Sequence, residues 1–186
     1  MKRFRVTNLP LAGLKLVERQ RLGDNRGSLS RLFCRDELVA AGWVKPVAQI
    51  NHAVTAMRGT VRGMHFQRPP HDEMKLVSCL RGEVWDVAVD VRAHSPTFLH
   101  WHAEHLSAEN GRALLIPEGF AHGLQSLTDD VELLYCHSEA YDTSSERGLN
   151  PQDERLAITW PLPITELSAR DAAYRLITIE FEGVGL

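Results

Sequence analysis

An all-β chain with a few short helices is what this sequence predicts, and three observations carry the prediction. Apolar and polar residues alternate in short segments from about Val44 to Tyr141, which is the two-residue period of strands rather than the 3.6-residue period of helices. Turn residues punctuate those segments, in the runs RG, SP, ENG and PEG, each able to reverse the chain. Helical patterning is confined to two short stretches outside the densest alternation. Many short strands at such spacing suggest a sandwich, a jelly roll or a barrel.

Taken in chain order, Asp36 to Ala41 reads as a short helix. Val61 to Gln67 follows in a β context, then strands at Lys75 to Leu80, at Phe98 to Leu106, at Ala113 to Ile116 and at Val131 to His137. The clearest strand is Val84 to Val91. Its alternation puts Trp85, Val87, Val89 and Val91 on one face and Val84, Asp86, Ala88 and Asp90 on the other. Ser168 to Tyr174 reads as a second helix, with Ser168 as N-cap and Asp171 at the third helical position of a capping box.

Length and composition bound the function. The 186 residues, with 44% hydrophobic and 24% charged, fit one globular domain over 1–186, and 13 Gly with 9 Pro are too few for a low-complexity chain. There are 21 Lys and Arg against 24 Asp and Glu, a net charge of −3, so the basic excess of a nucleic-acid footprint is missing. No run approaches the ~18 apolar residues of a membrane span, and the basic N-terminus lacks the apolar core of an export signal. Cys34, Cys79 and Cys136 are widely spaced with no CxxC, which writes neither a disulfide framework nor a thiolate zinc site. The expectation is a soluble protein of the cytoplasm.

The densest polar cluster in a β context is Arg62-Gly63-Met64-His65-Phe66-Gln67. Strict alternation sends Arg62 and His65 to opposite faces, but a Gly inside a strand marks a bulge or a close backbone approach, which lets both side chains converge on one cavity. Lys75, His122 in the turn Ile116 to Gly123, and Tyr135 each add a polar group to an apolar face. A cavity holding His, Lys, Arg and Tyr has a base, cations and a weak acid. That is the equipment for moving a proton from a carbon next to a carbonyl.

In order along the chain, GDNRG (23–27), QINH (49–52), RGMHFQ (62–67), KLV (75–77), GEVWDVAVDVR (82–92), SPTF (95–98), LSAEN (106–110), IPEGFAHG (116–123), LLY (133–135) and LSARD (167–171) resemble the dTDP-4-dehydrorhamnose 3,5-epimerase family, from about Gly23 to Ala173. The resemblance implies a cupin-type jelly roll, or double-stranded β-helix, and a homodimer that shares strands between subunits. It also implies a nucleotide-diphosphate sugar as the substrate and catalysis with neither metal nor organic cofactor.

By that resemblance His65 takes the place of the general base and Asp171 that of its carboxylate partner. Tyr135 takes that of the acid on the opposite face of the sugar, and Lys75 that of the cation that offsets charge on the 4-oxygen. Arg26, Gln49, Asn51, Arg62, His122, Glu146 and Arg170 match substrate-binding positions, and Tyr141 falls where the family stacks a ring on the base. One departure bears on the nucleotide. Arg31 stands where the family has a substrate-contacting Glu, and an arginine can only donate where a carboxylate accepts from the ring N–H of thymine or uracil. This raises a CDP-linked sugar as an alternative donor, and inversion at carbon 3, carbon 5 or both stays open. A metal cupin is the rival: PEGFAH has the form of the second cupin motif, and His100, His102 and Glu104 alternate onto one face. Against it, His65-Phe66-Gln67 lacks the HxH of the first motif.

Overall fold

The computed structural model describes residues 2–185. In chain order the strands are β1 (Phe4–Asn8), β2 (Lys15–Arg19), β3 (Arg21–Asp24), β4 (Gly27–Ser30), β5 (Gln49–Thr55), β6 (Thr60–Gln67) and β7 (Lys75–Arg81). They continue with β8 (Glu83–Asp90), β9 (Trp101–Ser107), β10 (Arg112–Ile116), β11 (Phe120–Ser126), β12 (Val131–His137), β13 (Glu146–Gly148) and β14 (Glu166–Leu167). The helices are α1 (Arg35–Leu38), continued by a 3-10 turn over Val39–Ala41, and α2 (Ala169–Ala172).

Two sheets hold most of the strands. One runs β1-β2-β10-β7-β12-β5, the other β13-β6-β11-β8-β9 with β14 added to β6, and β3 pairs β4 in a separate hairpin. Every pairing except β14 with β6 is antiparallel. From β5 to β13 the chain crosses between the sheets at every step except β8 to β9, with β6, β8 and β11 in one and β7, β10 and β12 in the other, which is the winding of a cupin-type jelly roll.

Alternation along the strands builds three apolar layers. Val77, Leu114 and Leu133 of the first sheet meet Val84, Ala88 and Leu124 of the second in a layer with Leu14 and Ile116. The alternate residues Leu76, Leu115 and Cys136 point the other way, onto Leu38 and Trp43 of the α1 segment. On the far side of the second sheet Met64, Phe66, Val87 and Val89 pack under Leu149, Leu156, Ile177 and Val184. The half-buried strands that the alternation predicted are therefore covered on both faces at the centre, and all seven residues of β11 are buried. The chain after β13 supplies the second cover, and its lack of regular structure hid that from the sequence pattern.

Three further differences have local causes. The strand expected from Phe98 begins at Trp101, because the buried Asp90 carboxylate accepts from the hydroxyls of Ser95 and Thr97, both at 2.6 Å, and folds the intervening chain into a turn. β1 to β4 lie where no strand was expected. All of β3 and the first three residues of β4 are exposed, so no buried face imposed an alternation. The capping box at α2 is half formed: Ser168 Oγ accepts from the Asp171 N–H at 3.0 Å, but the Asp171 carboxylate turns away into the body of the fold.

Candidate active site

Between the two sheets lies a cavity of about 840 Å³, walled by β5, β7 and β12 from the first sheet and by β6 and β11 from the second, with α2 at its side. His65, Arg62, Lys75, His122, Tyr135, Asn51, Tyr141, Glu146, Arg170 and Asp171 all line it. Gly63 makes the convergence of Arg62 and His65 work. Its φ is +121°, a Cβ there would sit 2.5 Å from Gly123 Cα, and the β6–β11 register shifts between His122 and Leu124. The bulge expected from the sequence is therefore present, and both side chains reach the cavity.

His65 Nε2 lies 2.7 Å from Asp171 Oδ1, while Asp171 Oδ2 accepts the Gly63 N–H at 3.2 Å. Asp171 is 2% exposed. Burial opposes its ionisation, but the hydrogen bond and charge of His65, the Gly63 N–H and Arg170 outweigh that and hold the carboxyl below its ordinary range. A carboxylate can only accept, so the 2.7 Å contact puts the hydrogen on Nε2 and leaves Nδ1 to take a proton; the Arg170 guanidinium, 3.1 Å from Nε2, then stands beside that N–H without a hydrogen bond to it. Burial lowers the His65 pKa below the usual imidazole value, against the opposing pull of Asp171, so the ring is neutral and competent as a base near pH 7. The Tyr174 ring packs edge-on to His65, with the ring centroids 6.1 Å apart.

Tyr135 stands on the other sheet. Its phenol is pushed far above the ordinary range by burial and by the nearby Asp86 charge, which keeps the proton on the oxygen. Lys75 Nζ donates to His65 O at 3.3 Å and pairs with Glu73 at 3.2 Å. His122 Nε2 is 2.8 Å from Asp86 Oδ1, and both residues are buried. A third imidazole–carboxylate pair joins His137 Nδ1 to Glu73 Oε2 at 2.6 Å.

The remaining candidates divide. Arg62 is held by Thr55 Oγ1 at 2.8 Å and by Val54 O at 3.1 Å. Gln49 donates to Asn51 Oδ1 and accepts the Tyr141 N–H, bracing the rim without lining the cavity. Tyr141 Oη donates to Glu146 Oε2 at 2.8 Å. Arg170 pairs with Glu146 at 3.1 Å and sits 3.1 Å from His65 Nε2, so it faces the imidazole rather than standing free. Arg26 and Arg31 are not at this cavity. Arg26 closes on Asp24 in the β3–β4 hairpin and Arg31 pairs with Glu37. His102 pairs with Glu104 at 2.9 Å on β9, while His100 precedes that strand.

Sequence reasoning missed Asp86, Glu73, His137 and Tyr174. Asp86 did leave a signal: a carboxylate on the strand face shared with Val84 and Ala88 needs a partner when that face is buried.

The fold and the cavity define a cupin-type protein with a polar site between its sheets. The family model for dTDP-4-dehydrorhamnose 3,5-epimerase matches residues 8–178. A dTDP-4-dehydrorhamnose 3,5-epimerase of Salmonella typhimurium is 43% identical over 166 residues, covering 87% of this chain and 89% of its own. A dTDP-4-dehydrorhamnose 3-epimerase of Streptomyces niveus is 37% identical, covering 90% and 81%. The crystal structure of dTDP-6-deoxy-D-glucose-3,5-epimerase from Legionella pneumophila in complex with dTDP-4-keto-L-rhamnose superposes with a TM-score of 0.90 at 36% identity, covering 97% of this chain and 98% of that one. The chain belongs to the dTDP-4-dehydrorhamnose 3,5-epimerase family, which places it among the sugar epimerases, a class of isomerase.

Proposed function

We propose that this protein inverts carbons 3 and 5 of dTDP-4-keto-6-deoxyglucose by proton transfer between two walls of the cavity. The observation that carries it is the placement of His65, backed by Asp171 of α2, on the second sheet and of Tyr135 on the first, with Lys75 at the same cavity. His65 Nδ1 removes the proton from the carbon next to the 4-keto group, and the C–H electron pair moves into a C=C bond as the carbonyl π pair moves onto the 4-oxygen. Lys75 Nζ offsets the charge that develops there. Tyr135 Oη then donates a proton from the opposite face, the carbonyl re-forms, and the carbon is inverted. Once His65 has released its proton to water and the Tyr135 phenolate has taken one back from water, repeating the cycle at the other flanking carbon gives the second inversion.

Arg62, His122, Asn51, Gln49, Tyr141, Glu146 and Arg170 would position the nucleotide diphosphate, with the guanidinium forks suited to phosphate oxygens. Arg26 and Arg31 fit this scheme through a homodimer. β5 is an edge strand with Ile50 and Val54 exposed at 61% and 54%, and the β3–β4 hairpin projects with no sheet to join. Pairing the two across copies would cover both and carry the arginines toward a partner's cavity. A cytoplasmic setting agrees with three free thiols and with the fact that no helix among the described residues is long and apolar enough to cross a membrane.

The test is incubation with dTDP-4-keto-6-deoxyglucose in heavy water, counting deuterium in the sugar for wild type and for His65→Asn. Two deuteriums, at carbons 3 and 5 and dependent on His65, are expected. A single deuterium would instead make it a mono-epimerase, the activity named for the S. niveus relative. Incorporation only into the CDP-linked sugar would overturn the nucleotide assignment and point back to Arg31. Label that persists in His65→Asn would overturn the base.

A further inference from the structure

Proton transfer through His65 and Tyr135 leaves the Glu73–His137 pair without a part, although both residues line the same cavity. Their placement is a product of register. His137 lies two residues beyond Tyr135 on β12 and so shares its face, with the two rings stacked at 6.0 Å. Across the sheet it pairs directly with Lys75 on β7, and Glu73 lies two residues before Lys75. The three side chains are buried together, at 10% exposure for Glu73, 8% for Lys75 and 11% for His137.

Each oxygen of the Glu73 carboxylate has one partner. Oε1 is 3.2 Å from Lys75 Nζ, and Oε2 is 2.6 Å from His137 Nδ1. Against the effect of burial, Lys75 and His137 together hold that carboxyl below its ordinary range. His137 is braced from behind: its Nε2 is 3.4 Å from Asn51 Nδ2, and Asn51 Oδ1 accepts from Gln49. A lysine Nζ has three donors. One goes to Glu73 Oε1 and one to His65 O at 3.3 Å, which leaves one for the cavity.

We propose that His137 is a positioning residue for Lys75: by occupying Glu73 Oε2 it stops the carboxylate from taking the third Nζ donor, the one directed at the oxygen of a bound keto sugar. The inference rests on the role given to Lys75 in the proposed epimerisation. Without the imidazole, Oε2 has no partner, and the nearest cation is Lys75. The carboxylate would then close on Nζ with both oxygens, satisfying it before the oxyanion forms. Substrate binding would be little changed, while the developing charge would lose its donor, so the effect belongs to kcat and not to KM.

The experiment measures steady-state epimerisation and heavy-water exchange in His137→Ala, in Glu73→Gln combined with His137→Ala, and in His137→Asn, which keeps an N–H near the place of Nδ1. His137→Ala is expected to lower kcat about tenfold or more with KM within about threefold. Glu73→Gln in that background is expected to recover most of the loss, because an amide offers Lys75 one acceptor and no charge. His137→Asn should likewise recover most of it. Wild-type kcat in His137→Ala, or a double variant no better than His137→Ala, would overturn the proposal. Should Ala unfold the chain, as thermal melting would reveal, His137→Phe fills the ring volume without the N–H and bears the same test. Lys75→Ala separates the two levels. If it retains turnover, the role of Lys75 itself fails, whereas a dead Lys75→Ala beside a fully active His137→Ala refutes only the positioning.

Discussion

Asp171→Asn is the substitution that most directly probes the proposed base, because it changes one atom at a position fixed from three sides. The asparagine Oδ1 can still accept the Gly63 N–H now at 3.2 Å, and the Asp171 N–H still caps on Ser168 Oγ. The fold should therefore survive, with thermal melting close to wild type. What changes is the side facing His65. An Nδ2 amide 2.7 Å from Nε2 either opposes two donors or drives the ring to the other tautomer. In the second case the hydrogen moves onto Nδ1, the nitrogen that must accept the substrate proton.

Two costs follow. Correcting the tautomer leaves a buried donor unsatisfied, about 1–3 kcal/mol, and the imidazolium formed on abstraction loses a charge-assisted hydrogen bond, about 1.5–3 kcal/mol. Their sum of about 3–6 kcal/mol corresponds to a loss on the order of 10² to 10⁴ in the rate of proton removal. The assay is single-turnover incorporation of solvent deuterium into the keto sugar as a function of pH. In the wild type the rate should rise with pH through a midpoint below ~6.5, because burial depresses the His65 pKa and the neutral ring is the active form. Asp171 is the main group pulling that pKa up, so in Asp171→Asn the midpoint should fall further even as the plateau drops. A plateau within about tenfold of wild type, or a midpoint that moves up, would refute the assignment of Asp171 as the partner of the base.

Tyr135→Phe should separate exchange from inversion: His65 can still remove and return a proton on its own face, so label washes in while net inversion falls by about tenfold or more, read by proton NMR. Gly63→Ala must place a Cβ 2.5 Å from Gly123 Cα at φ +121°, and a loss of at least about 3 kcal/mol in denaturant unfolding is expected. Asp90→Asn removes a buried carboxylate held by Arg92, Ser95 and Thr97 at 2.6 to 2.8 Å, costing about 3 kcal/mol or more at neutral pH. Against its burial, those same partners lower the Asp90 pKa to about 2. Its contribution is therefore complete above the unfolded value of ~3.9 and lost as pH falls toward the folded one, so Asp90→Asn should flatten the stability profile in that window.

What the sequence made legible followed from how locally each feature is encoded. The β architecture was readable because alternation and turn residues act within a few positions, and the Gly63 bulge because its glycine sits between the two residues it redirects. His65, Lys75 and Tyr135 drew notice as polar residues on apolar strands. Asp171 registered from local pattern only as a helix cap, since its tie to His65 spans 106 positions. The Glu73–His137 pair was invisible because it depends on the β7–β12 register, which places His137 opposite Lys75. Arg26 and Arg31 are the converse case: motif position marks them, while within one chain they pair with Asp24 and Glu37, away from the cavity.

A sandwich of two sheets is well matched to the proposed inversion. Protonating the face opposite to the one deprotonated requires two groups on opposed rigid supports, with the sugar ring between them. Neighbouring positions on one strand face cannot supply that, because their side chains stand parallel. Here the proposed base is borne by β6 and the proposed acid by β12, strands of different sheets joined through a common apolar layer. Neither wall can shift without disturbing close packing. Lys75, on β7 beside β12, hydrogen-bonds the backbone of His65 on β6, so the cation that would stabilise the proposed intermediate also ties the two walls together beside the residues proposed to exchange the proton.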